Sequence, residues 1–75
     1  MATKVEARKA LDRALAKLGT PTQAAYRCGV SEGTIRYWRR RGHLNGVPVE
    51  TVLRLSRASG VALEDFVVDD QQPEK

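Results

Sequence analysis

Apolar side chains recur along this chain at helical intervals between glycines, a pattern that predicts four helices and a closing turn. From about Lys4 to Leu18, charged residues interleave with alanine, and Leu11, Leu15 and Leu18 follow helical spacing. Gly19 ends this helix. Thr20-Pro21-Thr22-Gln23 then supplies a start signal: threonine as N-cap, proline in the first helical position, glutamine three residues after the cap. The second helix runs to Cys28, with Ala25 and Cys28 on one face and Ala24 beside them. A third is expected from Glu32 to Arg41, with Ser31 as N-cap, Ile35 and Trp38 on its inner face, and Gly42 as its stop. His43 to Pro48 reads as a loop whose Leu44 and Val47 tuck under the core. A fourth helix begins near Val49 and buries Val49, Val52, Leu53, Leu55 and Ser56. Gly60 ends it, and Val61, Leu63 and Phe66 form a last helical turn over the core. No segment alternates as a strand would, since Val67-Val68 is too short. The expected fold is all-α: a compact bundle of four to five short helices in one domain, residues 1–68. Residues 69–75 are expected to form a disordered acidic tail.

The join between the second and third helices is the most specific feature. Gly29 breaks the second helix where a left-handed backbone costs it nothing, and Val30 plugs the gap before Ser31 restarts the chain. Small residues on the second helix let the third cross it closely and steeply. Together these predict a helix-turn-helix over Thr20 to Gly42. At about 100° per residue, Ile35 and Trp38 point inward while Gly33, Arg36, Tyr37 and Arg40 cluster on the opposite side. Such a face suits a DNA major groove. Arginine can donate two hydrogen bonds to guanine O6 and N7, tyrosine can reach phosphate or stack, and glycine lets a backbone come close. The alternative is a solvated basic face. Helix 32–41 is thus the candidate for base contact through Glu32, Gly33, Arg36, Tyr37 and Arg40, with Arg36 the first choice. Glu32 either accepts from a cytosine amino group or complements the helix N-terminus. Thr20, Thr22, Gln23, Arg27 and Ser31 lie where phosphates would pass, and Arg39, Arg41 and His43 are candidate phosphate or loop contacts. Trp38 is assigned to the core. Tyr26 either packs on the first helix or faces solvent.

Charge agrees with a polyanionic partner. The net charge of +4 combines a balance of +8 over residues 1–63 with −4 over residues 64–75. The basic body favours phosphates through counterion release. With 75 residues the core is thin, and domains of this size often gain stability by associating. No apolar run reaches the length of a membrane span, and the first residues lack the apolar stretch of a signal peptide. Cys28 is the only cysteine, so there is neither an internal disulfide nor a cysteine-based zinc site, and it reads as a small core residue. One histidine, no Gly-rich phosphate loop and no carboxylate pair outside the tail argue against an enzyme. No catalytic residue, metal, cofactor or small-molecule substrate is expected.

The segment AAYRCGVSEGTIRYW, the proline before the fourth helix and the SGVALEDF ending resemble the Cro-type helix-turn-helix superfamily of phage repressors. Within it, they are most similar to the short Cro-like and YdaS-like proteins. The resemblance covers residues 20–66. It implies a lambda-repressor-like DNA-binding fold, double-stranded operator DNA as ligand, and repression by occluding a promoter in the cytoplasm and nucleoid of a bacterial host. Pro21 stands where many relatives place a phosphate-binding glutamine, which would pass that contact to Gln23 or Thr22. The loop RGHLNGVP is longer than in the tightest members, and the long C-terminal strand through which some Cro proteins dimerise is missing. One recognition helix reads few base pairs, so a homodimer on DNA, largely monomeric when free, is expected. Its surface is sought around Leu44 and Val47, in Val61 to Val68, and near Leu55. Small helix-turn-helix proteins also act as antitoxins or adaptors that grip another protein, and RNA is a third possible partner. The absence of exposed aromatic platforms disfavours RNA.

Overall fold

Thr3 and Glu6 open the first helix. In the computed structural model, which describes residues 2–68, Thr3 Oγ1 accepts from the Glu6 N–H (3.1 Å) and Glu6 Oε1 accepts from the Thr3 N–H (3.0 Å). This reciprocal cap satisfies two donors that a helix start leaves unpaired. Helix α1 (Lys4–Leu18) then buries one stripe: Ala7, Ala10, Leu11, Ala14, Leu15 and Leu18. Gly19 ends it at φ 98°, a conformation that L side chains avoid, and a Cβ there would collide with Gln23 Oε1.

Helix α2 (Pro21–Cys28) starts with the same kind of box, Thr20 and Gln23, and with proline in its first turn. A three-residue connection leads to α3 (Glu32–Arg41), and a longer loop leads to α4 (Val49–Ser59). A 3-10 turn, Leu63–Phe66, completes the described chain. Helix α1 packs on α2, α4 and this turn, α2 packs on α3 and α4, and α3 lies against α2 and α1. Phe66 is fully buried, with Leu11, Ile35, Leu44, Leu55 and Cys28 as the other large side chains shut off from water. Each of the leucine, isoleucine and phenylalanine side chains among them stabilises the fold by roughly 1.5–3 kcal/mol relative to exposure. The fold is therefore all-helical, with four α-helices and no strand among the described residues. None of those helices is long and apolar enough to cross a membrane.

Two polar devices fix the segments after α3 and α4. Ser59, although buried, donates from Oγ to the Leu55 carbonyl (2.7 Å) and accepts from the Val61 N–H (3.2 Å), while Ser56 Oγ donates to the Val61 carbonyl (2.7 Å). The Asn45 side chain imitates a strand: Nδ2 donates to the Val68 carbonyl (3.0 Å) and Oδ1 accepts from the Val68 N–H (2.9 Å). Beside it the Leu44 N–H donates to the Phe66 carbonyl (2.9 Å) and the Ala2 N–H to the Val67 carbonyl (3.1 Å), and Ala2 and Val68 form an isolated parallel bridge.

Some expectations need correction. Val49 is 66% exposed: it sits in the first turn of α4, and Val52, Leu55 and Ser59 form the buried side instead. Leu53 and Ser56 are only half-buried. Tyr26, left open between packing on α1 and solvent, faces solvent at 87% exposure, and with Tyr37 at 53% it overturns the expectation that no aromatic platform is exposed. Leu44, Leu55, Val61 and Phe66 are consumed by the core and offer nothing to a second chain. Leu44 and Val47 do pack under the core as the loop reading requires. The acidic tail expected at 69–75 lies outside the described residues.

Candidate nucleic-acid interface

The connection from α2 to α3 is set by hydrogen bonds that only a left-handed residue allows. Gly29 adopts φ 75°, ψ 30°. Its N–H donates to the Tyr26 carbonyl (3.3 Å), and the Val30 N–H reaches back to the Ala25 carbonyl (3.0 Å). This Schellman pairing satisfies the last carbonyls of α2 and folds Val30 onto the core. Arg54 of α4 lies across the turn, with Nη1 only 2.6 Å from where a Cβ on Gly29 would be. Ser31 then caps α3, its Oγ accepting from the Thr34 N–H (3.2 Å) and lying 3.0 Å from Thr34 Oγ1.

Helix α3 has two sharply different sides. Ile35 and Trp38 are 1% and 2% exposed. Opposite them Gly33, Arg36, Tyr37 and Arg40 are all exposed, with the Arg36 side chain at 67% and Tyr37 at 53%. Gly33 has no positive φ, and a Cβ there would meet only Ser31 Oγ, at an ordinary 3.8 Å. Nothing among the described residues requires a glycine at this position. Arg39 is exposed at one edge of the face, and Arg41 is half-buried at the other. The Arg41 guanidinium lies 5.5 Å from the Tyr37 ring centroid, and its Nη2 is 3.3 Å from His43 Nδ1. That nitrogen also accepts from the Asn45 N–H (3.3 Å).

Glu32 joins the two helices. Its Oε2 accepts from the Thr22 hydroxyl of α2, and its Oε1 accepts from Arg36 Nη2 (3.2 Å) one turn along α3. The contact holds the start of α3 beside the start of α2 and gives Arg36 a preferred direction. It also spends the one O–H donor of Thr22 inside the chain, which weakens the case for that hydroxyl as a phosphate contact. In the α2 cap, Thr20 Oγ1 accepts from the Gln23 N–H (3.2 Å) and Gln23 Oε1 from the Thr20 N–H (3.0 Å). The Gln23 Nε2 donors are the part of that side chain left for a phosphate. Arg27 is exposed on α2.

Two residues with no signal in the linear pattern belong to this region. Arg8 of α1 donates from Nη1 to the Arg39 carbonyl and from Nη2 to the Arg40 carbonyl, each at 3.1 Å. It thereby satisfies carbonyls that the end of α3 leaves open and adds a cation where the helix dipole is negative. Its guanidinium covers Gly42, where a Cβ would stand 2.9–3.1 Å from three of its atoms. Arg54 is the second, as described. Cys28, behind this surface, is buried. Burial pushes its thiol above the ordinary value of 9.0, against the opposite pull of Arg27 and Arg54. Among the described residues no group of three His, Cys, Asp or Glu side chains could hold a metal ion. No family model matches the chain, and neither a curated protein nor a solved structure matches it.

Proposed function

We propose that the chain is a sequence-specific double-stranded DNA-binding protein in which α2 and α3 act as a helix-turn-helix and α3 enters the major groove. The observation that carries this reading is the outward face of α3. Two exposed arginines, a tyrosine and a glycine without an internal purpose stand over a helix anchored by Ile35 and Trp38. Arg36, oriented by Glu32, is the base reader, best matched to a guanine; Arg40 and Tyr37 extend the contact, and Gly33 lets the helix start approach the base edges. Gln23, Arg27, Ser31 and Arg39 hold the flanking phosphates. The biological role is that of a Cro-like transcriptional repressor which blocks a promoter by occupying it.

The unit on DNA is a two-fold dimer reading inverted half-sites about one helical turn apart. Its contact surface is the shallow apolar groove lined by Val47, Val49, Leu63 and Val67, which the bundle leaves partly open. The decisive experiment is selection of a site from a random duplex library, followed by anisotropy titration. Arg36→Ala should lose roughly 1–3 kcal/mol on the selected site and relax the base preference at one position of each half-site. Unchanged affinity and preference would overturn the assignment. Sedimentation with the selected palindrome should show two chains per duplex, and one chain at saturation would overturn the dimer.

A further inference from the structure

The first turns of α1 and the end of α3 meet in a cleft of about 430 Å³ lined by Lys4, Val5, Arg8, Lys9, Arg41 and His43, with Asp12 as its acid. Lys4, Val5 and Lys9 are exposed, and none of Lys4, Arg8, Lys9 and Arg41 belongs to an ion pair among the described residues. Arg8 is held by its two bonds to α3 carbonyls, so its charge stays in place, and Asp12 is the single carboxylate set against the four cations of the lining. Arg41, the last residue of α3, is the cation which that helix adds to the lining. Such a concentration of like charge is unfavourable in the isolated chain, and an anion relieves it. The cleft is also continuous with the outer face of α3, because Arg41 forms its wall while covering the ring of Tyr37.

We infer that this cleft is a second phosphate-binding surface, which grips the DNA sugar–phosphate strand beyond the C-terminal end of α3. The inference rests on the DNA reading above and adds α1 to the interface. A helix lying in the major groove has phosphates passing both of its ends. The start of α2 serves one end, and Lys4, Lys9 and Arg41 serve the other. Arg8 is a positioning residue there, holding the end of α3 at the height of the cleft. The contact carries no base information, so it strengthens binding to every duplex alike.

The test is the salt dependence of binding to a labelled mixed-sequence duplex of about two helical turns. Lys4→Gln/Lys9→Gln removes two cleft cations, and Lys17→Gln/Arg57→Gln removes the same charge from exposed positions outside the cleft. The cleft variant should lower the slope of log K against log salt by about 1.8, which shrinks the affinity ratio between 50 and 200 mM salt by roughly tenfold. Its melting temperature and its base preference on the selected site should match those of the wild type. The control should lose less than half as much slope. Equal slopes for the two variants, or no change in either, would overturn the cleft while leaving the α3 reading intact if Arg36→Ala still relaxes the base preference at its position. A wild-type chain that binds no duplex at all would overturn both.

Discussion

Replacing Gly33 with alanine should make the protein more stable and less able to bind DNA. Gly33 is the second residue of α3, its φ is negative, and an added methyl group meets only Ser31 Oγ at 3.8 Å. No contact is lost and no strain is added. Alanine lowers the conformational entropy of the unfolded chain and favours the helix, worth about 0.5–1 kcal/mol at a compatible site. For a domain of this size that raises the melting temperature by roughly 2–8 °C. The same methyl group would stand between the helix backbone and the base edges, and binding to the selected site should weaken by about tenfold or more, about 1.4 kcal/mol. Gly42 supplies the opposite case on the same helix. With φ 82° and an Arg8 guanidinium within 2.9–3.1 Å of the new Cβ, Gly42→Ala should destabilise by about 1–2 kcal/mol. Thermal melts followed by circular dichroism, paired with anisotropy titrations, read both effects. If Gly33→Ala lowers stability, the fold itself requires that glycine. If it raises stability and leaves DNA affinity unchanged, close approach is not why a glycine stands there.

Trp38→Ala should destabilise by about 3–5 kcal/mol in denaturant titration, since the indole is buried between helices that have little room to collapse; a wild-type transition would move Trp38 to the surface. Glu32→Gln should leave the melt nearly unchanged while reducing discrimination at the base pair that Arg36 reads, measured by competition between single-base site variants, because a neutral amide holds the guanidinium less firmly. Cys28 should resist alkylation in the folded protein at about pH 8 and react only as denaturant opens the core, as followed by mass spectrometry. Because its folded value is raised, the folded chain holds the thiol proton where the unfolded chain has released it. Stability should therefore be insensitive to this group below about 9.0 and fall as pH rises further.

What could be read from the linear pattern was governed by short-range rules. The bounds of α2 and α3 follow from Thr20, Pro21, Gln23, Ser31 and the two glycines, each acting within four residues of its effect. Ile35 and Trp38 as the inner face follow from the helical period alone. Val49 defeats the same rule: it is spaced correctly from Val52, yet it belongs to the first turn of its helix and stays exposed. Arg8 bonds to carbonyls 31 and 32 residues away, and Asn45 to a backbone 23 residues away. No local pattern encodes partners at such distances, so the cap on α3 and the clamp on Val68 become visible only in the folded arrangement. Glu32 lies between these cases. Its pairing with Arg36 at i, i+4 is legible, whereas the hydroxyl of Thr22 that completes it comes from another helix.

The seam formed by Ala2, Asn45 and Val67-Val68 brings positions 2 and 68 side by side. In a version cut back to residues 2–68, a short flexible linker would therefore join Val68 to Ala2 without crossing the bundle. New ends could open at Gly46, which is exposed in the α3–α4 loop and where a Cβ would meet nothing within 4 Å. Such a circular permutant keeps α2, its turn and α3 uninterrupted in one stretch. For the same reason, two copies tethered through either position would share one attachment region, so linker length would set which half-site spacings a covalent dimer can span.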